Sequence, residues 1–116
     1  MKPVKGVLPA LLTPFTENGE LNITALQNHV EFLVEKGVGG VYACGTFGSG
    51  PLLSEVEHKE FSSALVSAVG GRVPVIVHVG TTTIRETVDL AKHCEAVGAD
   101  AVAAMPPYYY PHVEDT

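Results

Sequence analysis

Basic residues are scarce in this chain of 116 residues, where seven lysines and arginines stand against thirteen aspartates and glutamates for a formal net charge of −6. The sequence has no cluster of lysine and arginine, so it lacks the positive surface that a phosphate backbone or an anionic membrane attracts. No apolar run approaches the roughly 18 residues that a membrane span needs. We therefore expect neither nucleic acid nor a membrane as a partner.

Cysteine is also rare. Cys44 and Cys94 are the two present, and their spacing fits neither a redox Cys-x-x-Cys pair nor a disulfide framework. Such usage is typical of a reducing compartment, and the short apolar run at residues 7–12, interrupted by Pro9, does not resemble a secretory signal. We expect a cytoplasmic protein. No spacing of His, Cys, Asp and Glu resembles a metal site, so we expect neither a metal nor a cofactor.

The chain does contain a regular alternation of short apolar runs and helical patterns. Strands are predicted at residues 6–12, 40–44, 73–79 and 99–105, and helices at residues 22–36, 54–69 and 83–97. The strand centres recur about every 31 residues, the size of one β/α unit. This order fits either an open doubly wound sheet or a closed barrel. A complete eight-unit barrel needs about 250 residues, so the chain is long enough for half of one.

Helix-start signals support two of these helices. Ser54 with Glu57, and Thr83 with Glu86, have the spacing of a capping box, in which a side chain and a backbone N–H satisfy each other.

In parallel β/α folds, functional residues collect where the strands end. The segment after the second predicted strand is rich in glycine and reads Gly45-Thr46-Phe47-Gly48-Ser49-Gly50. Its backbone N–H groups suit a small anion such as a carboxylate, because glycine permits close approach. The order of glycines matches neither the dinucleotide fingerprint nor the Walker loop. A tight turn without a ligand is an equally good interpretation.

Two further features have open interpretations. The three tyrosines at 108–110 cannot all enter one core, and an aromatic plug or a subunit contact is favoured over a proton relay. Alternation places Ile76 and His78 on one face of the third predicted strand, facing a barrel interior if there is one. A hydrogen-bonded core histidine is the favoured interpretation of His78. The five lysines, at positions 2, 5, 36, 59 and 92, are all predicted away from the carboxyl ends of strands.

Three separated motifs together resemble the dihydrodipicolinate synthase/N-acetylneuraminate lyase family over essentially the whole chain. They are Gly6-Val7-Leu8-Pro9-Ala10 with Thr13-Pro14-Phe15, Gly45-Thr46-Phe47-Gly48 with Leu53-Ser54-Glu55-Val56-Glu57-His58-Lys59, and Pro107-Tyr108-Tyr109. The resemblance implies an α/β fold of the (β/α)8 TIM-barrel type. Residues 1–116 would be the N-terminal half of the aldolase domain, with about the first four strands and three helices.

The resemblance also implies a class I aldolase or lyase, which binds pyruvate or another 2-oxo acid as a Schiff base on a barrel lysine. The second substrate would be an aldehyde or a sugar acid. By resemblance, Gly45, Thr46 and Phe47 bind the 2-oxo acid carboxylate, and Thr46 and Tyr109 act as catalytic groups in a proton relay. The family loop usually reads Gly-Thr/Ser-Thr-Gly-Glu, so Phe47 and Ser49 depart from it. The synthase, the lyase and 2-keto-3-deoxy sugar acid aldolases therefore remain equally open.

The family's Schiff-base lysine belongs to a later strand and has no counterpart in this sequence. Covalent amine catalysis needs such a lysine, so we expect the isolated chain to be inactive. The alternative is a non-catalytic half-barrel that serves as an oligomerisation or 2-oxo-acid-binding module. A homo-oligomer is expected because open sheet edges and apolar faces favour pairing.

Overall fold

The computed structural model describes residues 6–45, 53–80 and 83–104, which contain three helices and a three-stranded parallel sheet. The predicted strand at residues 99–105 extends to residue 105, which lies outside the described residues. The helices are α1 (Ile23–Glu35), α2 (Glu55–Val69) and α3 (Ile84–Val97), and the strands are β1 (Val41–Ala43), β2 (Val75–His78) and β3 (Ala101–Ala103).

The strands lie in the order β1-β2-β3, and every neighbouring pair is parallel. Helix α2 contacts both α1 and α3. Right-handed crossovers between strands in sequential order place all helices on the same face of the sheet. A doubly wound sheet instead reverses its strand order and carries helices on both faces. The arrangement is therefore the singly wound one of a barrel.

The predicted strand at residues 6–12 is not a regular strand. A single parallel bridge joins Ala10 to Tyr42 of β1. The Leu11 N–H donates to the Tyr42 carbonyl at 2.8 Å, and the Tyr42 N–H donates to the Pro9 carbonyl at 3.0 Å. Proline has no N–H to donate, which shortens the ladder at this point. The segment still lies beside β1, where the first strand of a barrel belongs.

Side-chain alternation divides the sheet into two faces. Val41, Ala43, Val75 and Val77 are at most 2% exposed and belong to the same core as the apolar side chains of α2. Burying a valine side chain contributes about 1.5–3 kcal/mol, so this face supplies much of the core. The residues between them, such as Tyr42, project from the opposite face.

The helix boundaries follow from local hydrogen bonds. The Glu57 N–H donates to Ser54 Oγ at 3.1 Å and the Ser54 N–H donates to Glu57 Oε1 at 3.0 Å, so the predicted capping box at α2 is confirmed. At α3, Thr83 Oγ1 accepts the Glu86 N–H at 3.2 Å. Gly98 ends α3 in the left-handed conformation, with φ of +98°, which glycine adopts without steric cost. None of the described helices has the length and apolar character needed to cross a membrane.

Replacing Ser54 with alanine should lower the free energy of unfolding by about 1 kcal/mol, because the first turn of α2 loses a bonded partner for one of its N–H groups. The matched control is Ser67→Ala, the same substitution at an exposed position in the last turn of α2. Alanine has the higher helix propensity, so the control should leave stability unchanged or slightly raised. Urea unfolding of the two variants measures the difference, and equal effects would contradict the role of the cap.

Candidate functional site

The carboxyl ends of the strands meet at one edge of the sheet, where β1, β2 and β3 end at Ala43, His78 and Ala103. Ala43 pairs with Val77, so the chain leaves β1 next to the end of β2. The segment that leaves is Cys44 followed by Gly45, and both residues are buried. Of the residues that the resemblance assigns to the site, the structure places Gly45 at this edge. Thr46, Phe47 and Tyr109 lie outside the described residues.

Cys44 has a left-handed backbone conformation, with φ of +63°. For a residue with a Cβ this conformation costs about 1–2 kcal/mol. It also changes the direction of the side chain. Alternation would place the Cys44 side chain on the face of Tyr42, whereas Cys44 is 1% exposed and belongs to the same core cluster as Leu65 of α2 and Cys94 of α3. The Cys44 side chain is therefore buried in the helix-facing core and does not occupy the face of Tyr42.

Gly45 has no room for a side chain. A Cβ at this position would lie 2.6 Å from Cε1 of Tyr42, a distance that real Cβ atoms do not reach. The Tyr42 ring thus lies directly against the backbone of Gly45. Only glycine fits here without displacing the ring, so the first glycine of the loop is required by packing.

His58 joins α2 to the carboxyl end of β2. Its Nε2 donates to the carbonyl of His78 at 2.8 Å, and Ser62 Oγ donates to the His58 carbonyl at 2.7 Å. Because a carbonyl only accepts, Nε2 of His58 carries the proton. His58 is 5% exposed, and this burial lowers the pKa of its imidazole, which is therefore neutral at pH 7.

The sequence analysis did not single out His58. Its spacing from Phe61, Ser62 and Leu65 is three, four and seven residues, which places it on the buried face of α2. A polar residue on such a face needs a hydrogen-bond partner, and that signal could have identified His58.

His78 is 5% exposed, and its ring centroid lies 6.5 Å from that of Tyr42. Burial lowers the pKa of this imidazole as well. Its Nε2 atom is buried and has no hydrogen-bond partner in the part of the chain that the structure describes. The expectation of a hydrogen-bonded core histidine is therefore wrong for this nitrogen.

The lysines of the described segments lie on or beside helices, as the sequence predicts. Lys36 caps α1 and lies over the Phe32 ring at 5.5 Å from its centroid. Lys59 of α2 pairs with Glu55 at 3.2 Å, and Lys92 is exposed on α3. Within residues 6–45, 53–80 and 83–104, no group of three or more His, Cys, Asp or Glu side chains is arranged to hold a metal ion.

A groove of about 380 Å³ lies between α3 and the start of β3. It includes Val88 and Val102 as well as Asp100, whose carboxylate accepts the N–H of Val75 at 2.8 Å. Val75 is the first residue of β2, so the groove reaches the amino ends of the strands. It is separate from the edge at which Gly45 lies.

Comparison with known proteins identifies relatives over nearly the whole chain. Residues 3–115 match a family described as the dihydrodipicolinate synthetase family. The chain is 45% identical over 105 residues to 4-hydroxy-tetrahydrodipicolinate synthase of Methanocaldococcus jannaschii, which covers 90% of this chain and 36% of that protein. It is 43% identical over 106 residues to the synthase of Bartonella henselae, and the match covers 91% of this chain and 36% of that protein. The chain thus spans little more than a third of the length of these relatives.

Solved structures show the same fold. N-acetylneuraminate lyase from Mycoplasma synoviae superposes with a TM-score of 0.90 at 40% identity, covering 97% of this chain and 39% of that one. A prophage protein of the dihydrodipicolinic acid synthase family from E. coli K12 was solved in complex with pyruvate. It superposes with a TM-score of 0.91 at 32% identity, covering 95% of this chain and 37% of that one. The chain therefore has part of a (β/α)8 TIM barrel, as the resemblance implied.

The two thiols should be unreactive in the folded protein. Burial raises the pKa of Cys44 to about 12 and also raises that of Cys94, so at pH 8 neither forms the thiolate that attacks a disulfide reagent. We expect no release of thionitrobenzoate from Ellman's reagent under native conditions and two equivalents per chain in guanidinium chloride. Rapid labelling of the native protein would contradict the burial of this pair.

Proposed function

The chain belongs to the dihydrodipicolinate synthetase family, and on that premise we propose that its residues form the carboxylate-binding part of a class I aldolase or lyase. The substrate is pyruvate or another 2-oxo acid, held as a Schiff base on a barrel lysine for aldol cleavage or condensation with an aldehyde or sugar acid. Residues 1–116 are the N-terminal half of that domain, and the protein acts in the cytoplasm. The observation that carries this proposal is the turn at Cys44 and Gly45 on the carboxyl edge of β1.

This turn suits an anion for two reasons. Gly45 is buried at the carboxyl edge of β1, and the backbone N–H groups of Gly45, Thr46 and Phe47 are consecutive donors for a small anion. A carboxylate removed from water needs hydrogen bonds from such donors, because burying it without partners is very costly. The Thr46 hydroxyl adds a donor that also accepts and passes a proton. The phenol of Tyr109 is the second member of this proton relay.

The Schiff-base lysine has to come from outside the described residues. A nucleophilic lysine must lie next to the substrate carbonyl and be partly desolvated. Lys36, Lys59 and Lys92 belong to the helix layer, on the opposite side of the sheet from Tyr42. We therefore propose that these 116 residues bind the substrate carboxylate and are inactive without the rest of a barrel.

The second candidate function is a non-catalytic half-barrel that oligomerises or binds a 2-oxo acid. It is favoured by the apolar surface beside the groove, where Val88 and Val102 are 44% and 45% exposed. Exposed apolar side chains in one groove favour a protein contact, so both candidates are compatible with a homo-oligomer.

Treating the 116-residue chain with pyruvate and borohydride should give no covalent adduct, because no described lysine lies near the proposed site. Borohydride reduces a Schiff base to a stable amine, and intact-mass spectrometry detects it. The E. coli K12 family member that was solved in complex with pyruvate serves as the positive control. Stoichiometric modification of a lysine in this chain would contradict the placement of the nucleophile outside it.

Thr46→Val should reduce turnover far more than Phe47→Thr in a complete barrel that contains these residues. Valine keeps the shape of threonine and removes the hydroxyl, and a lost hydrogen bond to a charged group costs about 1.5–3 kcal/mol, or one to two orders of magnitude in rate or affinity. Phe47→Thr keeps the backbone N–H and is the matched control. Steady-state kinetics of pyruvate release or consumption measures both, and turnover of Thr46→Val near that of the wild type would leave the loop as only a turn.

A further inference from the structure

We propose that His78 donates a hydrogen bond from Nε2 to the carboxylate of the bound 2-oxo acid, as a donor additional to the glycine-rich loop. This inference rests on the proposed function, because it assigns a further contact to the same substrate. It identifies a binding residue that the motif at Gly45 does not contain.

The position of His78 places it beside the loop. Ala43 pairs with Val77 across the sheet, so the next residues along the two strands are Cys44 and His78. Neighbouring strands are about 4.8 Å apart, which is within the reach of a histidine side chain. His78 is therefore the residue of β2 closest in register to the start of the loop.

The side chain of His78 lies on the appropriate face. Val75, Val77 and Val79 face the helices and are at most 2% exposed, so alternation sends the His78 side chain to the opposite face. Its ring lies 6.5 Å from that of Tyr42, and the Tyr42 ring lies against Gly45. The Tyr42 ring thus contacts the Gly45 backbone and lies near the His78 ring. The three groups therefore lie together where the loop starts.

The unused nitrogen points to a ligand. Leaving a buried polar group without a hydrogen bond costs free energy, and native proteins rarely do so. His78 is 5% exposed, and its Nε2 has no hydrogen-bond partner among the described residues. A ligand that carries an acceptor would satisfy this atom, and a 2-oxo acid carboxylate is an acceptor without donors.

The fixed position of the strand end favours this contact. The carbonyl of His78 is held by Nε2 of His58 at 2.8 Å, so the backbone that carries the imidazole is attached to α2. Burial lowers the pKa of the His78 imidazole, which is neutral at pH 7 and has one N–H to donate. The imidazole is therefore neutral and attached to a strand end that α2 holds in place.

The experiment measures pyruvate affinity in the 116-residue chain by titration calorimetry for the wild type and for His78→Phe, His78→Gln, His29→Gln and Thr46→Val. His78→Phe keeps an aromatic ring and removes the donor, and should weaken pyruvate binding by about tenfold to a hundredfold. His78→Gln retains an N–H donor and should lose less affinity than His78→Phe. His29→Gln, at an exposed position on α1, is the matched control and should bind as the wild type does.

A second measurement is made on the wild-type protein, in case His78→Phe does not fold. Pyruvate should shift the imidazole 15N and 13C signals of His78, assigned by their loss in the His78→Gln spectrum. The signals of His29 should stay unchanged. Lactate, which keeps the carboxylate and lacks the keto group, should produce the same shift, because the contact is to the carboxylate.

The outcomes separate the two claims. Wild-type binding that is lost in Thr46→Val and unchanged in His78→Phe would keep the proposed function and overturn this inference. Unshifted His78 signals at saturating pyruvate would overturn it as well. If neither pyruvate nor lactate binds the wild-type chain, both the carboxylate site and the His78 contact are wrong.

Discussion

The alternation of side chains along parallel strands that are covered by helices on one face determines most of this structure. Val41 and Val77 belong to the helix-facing set, and Tyr42 and His78 to the other. Because the helices cover a single face, the side chains of Tyr42 and His78 lie on the other face, where they would line a site. The left-handed Cys44 interrupts the alternation at the end of β1 and returns its own side chain to the core. The edge of the sheet thus has the buried Cys44 on the helix-facing side and the side chains of Tyr42 and His78 on the other.

The contact between His58 and the His78 carbonyl links that edge to the helix layer. Helix α2 starts at a capping box that fixes its first turn, and His58 lies in the next turn, one residue beyond Glu57. Ser62, one turn later, donates its hydroxyl to the His58 carbonyl. The buried face of α2 therefore holds the end of β2.

Local chemistry made the helices predictable, and long-range pairing limited the prediction of the strands. Capping residues and glycines marked the helix ends because they act within one turn. Apolar runs overestimated the strands, since Val79 is buried like a strand residue and yet lies beyond β2. The strand at residues 6–12 was predicted without the effect of Pro9 on its ladder. The choice between a barrel and an open sheet depended on the family resemblance, because strand order depends on contacts between distant segments.

The same difference between local and long-range effects decides which features of the site were predictable. Gly45 was identified because glycine-rich loops have a visible composition, and the structure adds the packing of Tyr42 that requires it. The left-handed conformation of Cys44 was not predictable, since its side chain is buried in a core that distant segments form. The apolar pattern of α2 gives His58 no role, because its hydrogen-bond partner belongs to a distant strand. The roles of Thr46, Phe47 and Tyr109 remain predictions.

The reaction rates of the two buried thiols can be used to measure local opening of the chain. Cys44 follows the sheet and Cys94 belongs to α3, so each becomes accessible only when its own surroundings separate. If labelling rates are followed under conditions where reclosing is faster than reaction, each rate gives the free energy of one opening event. Equal values would mean that the loop end of β1 and α3 open together as a cooperative unit. A lower value at Cys44 would mean that the carboxyl end of β1 opens by itself while the helix layer stays closed.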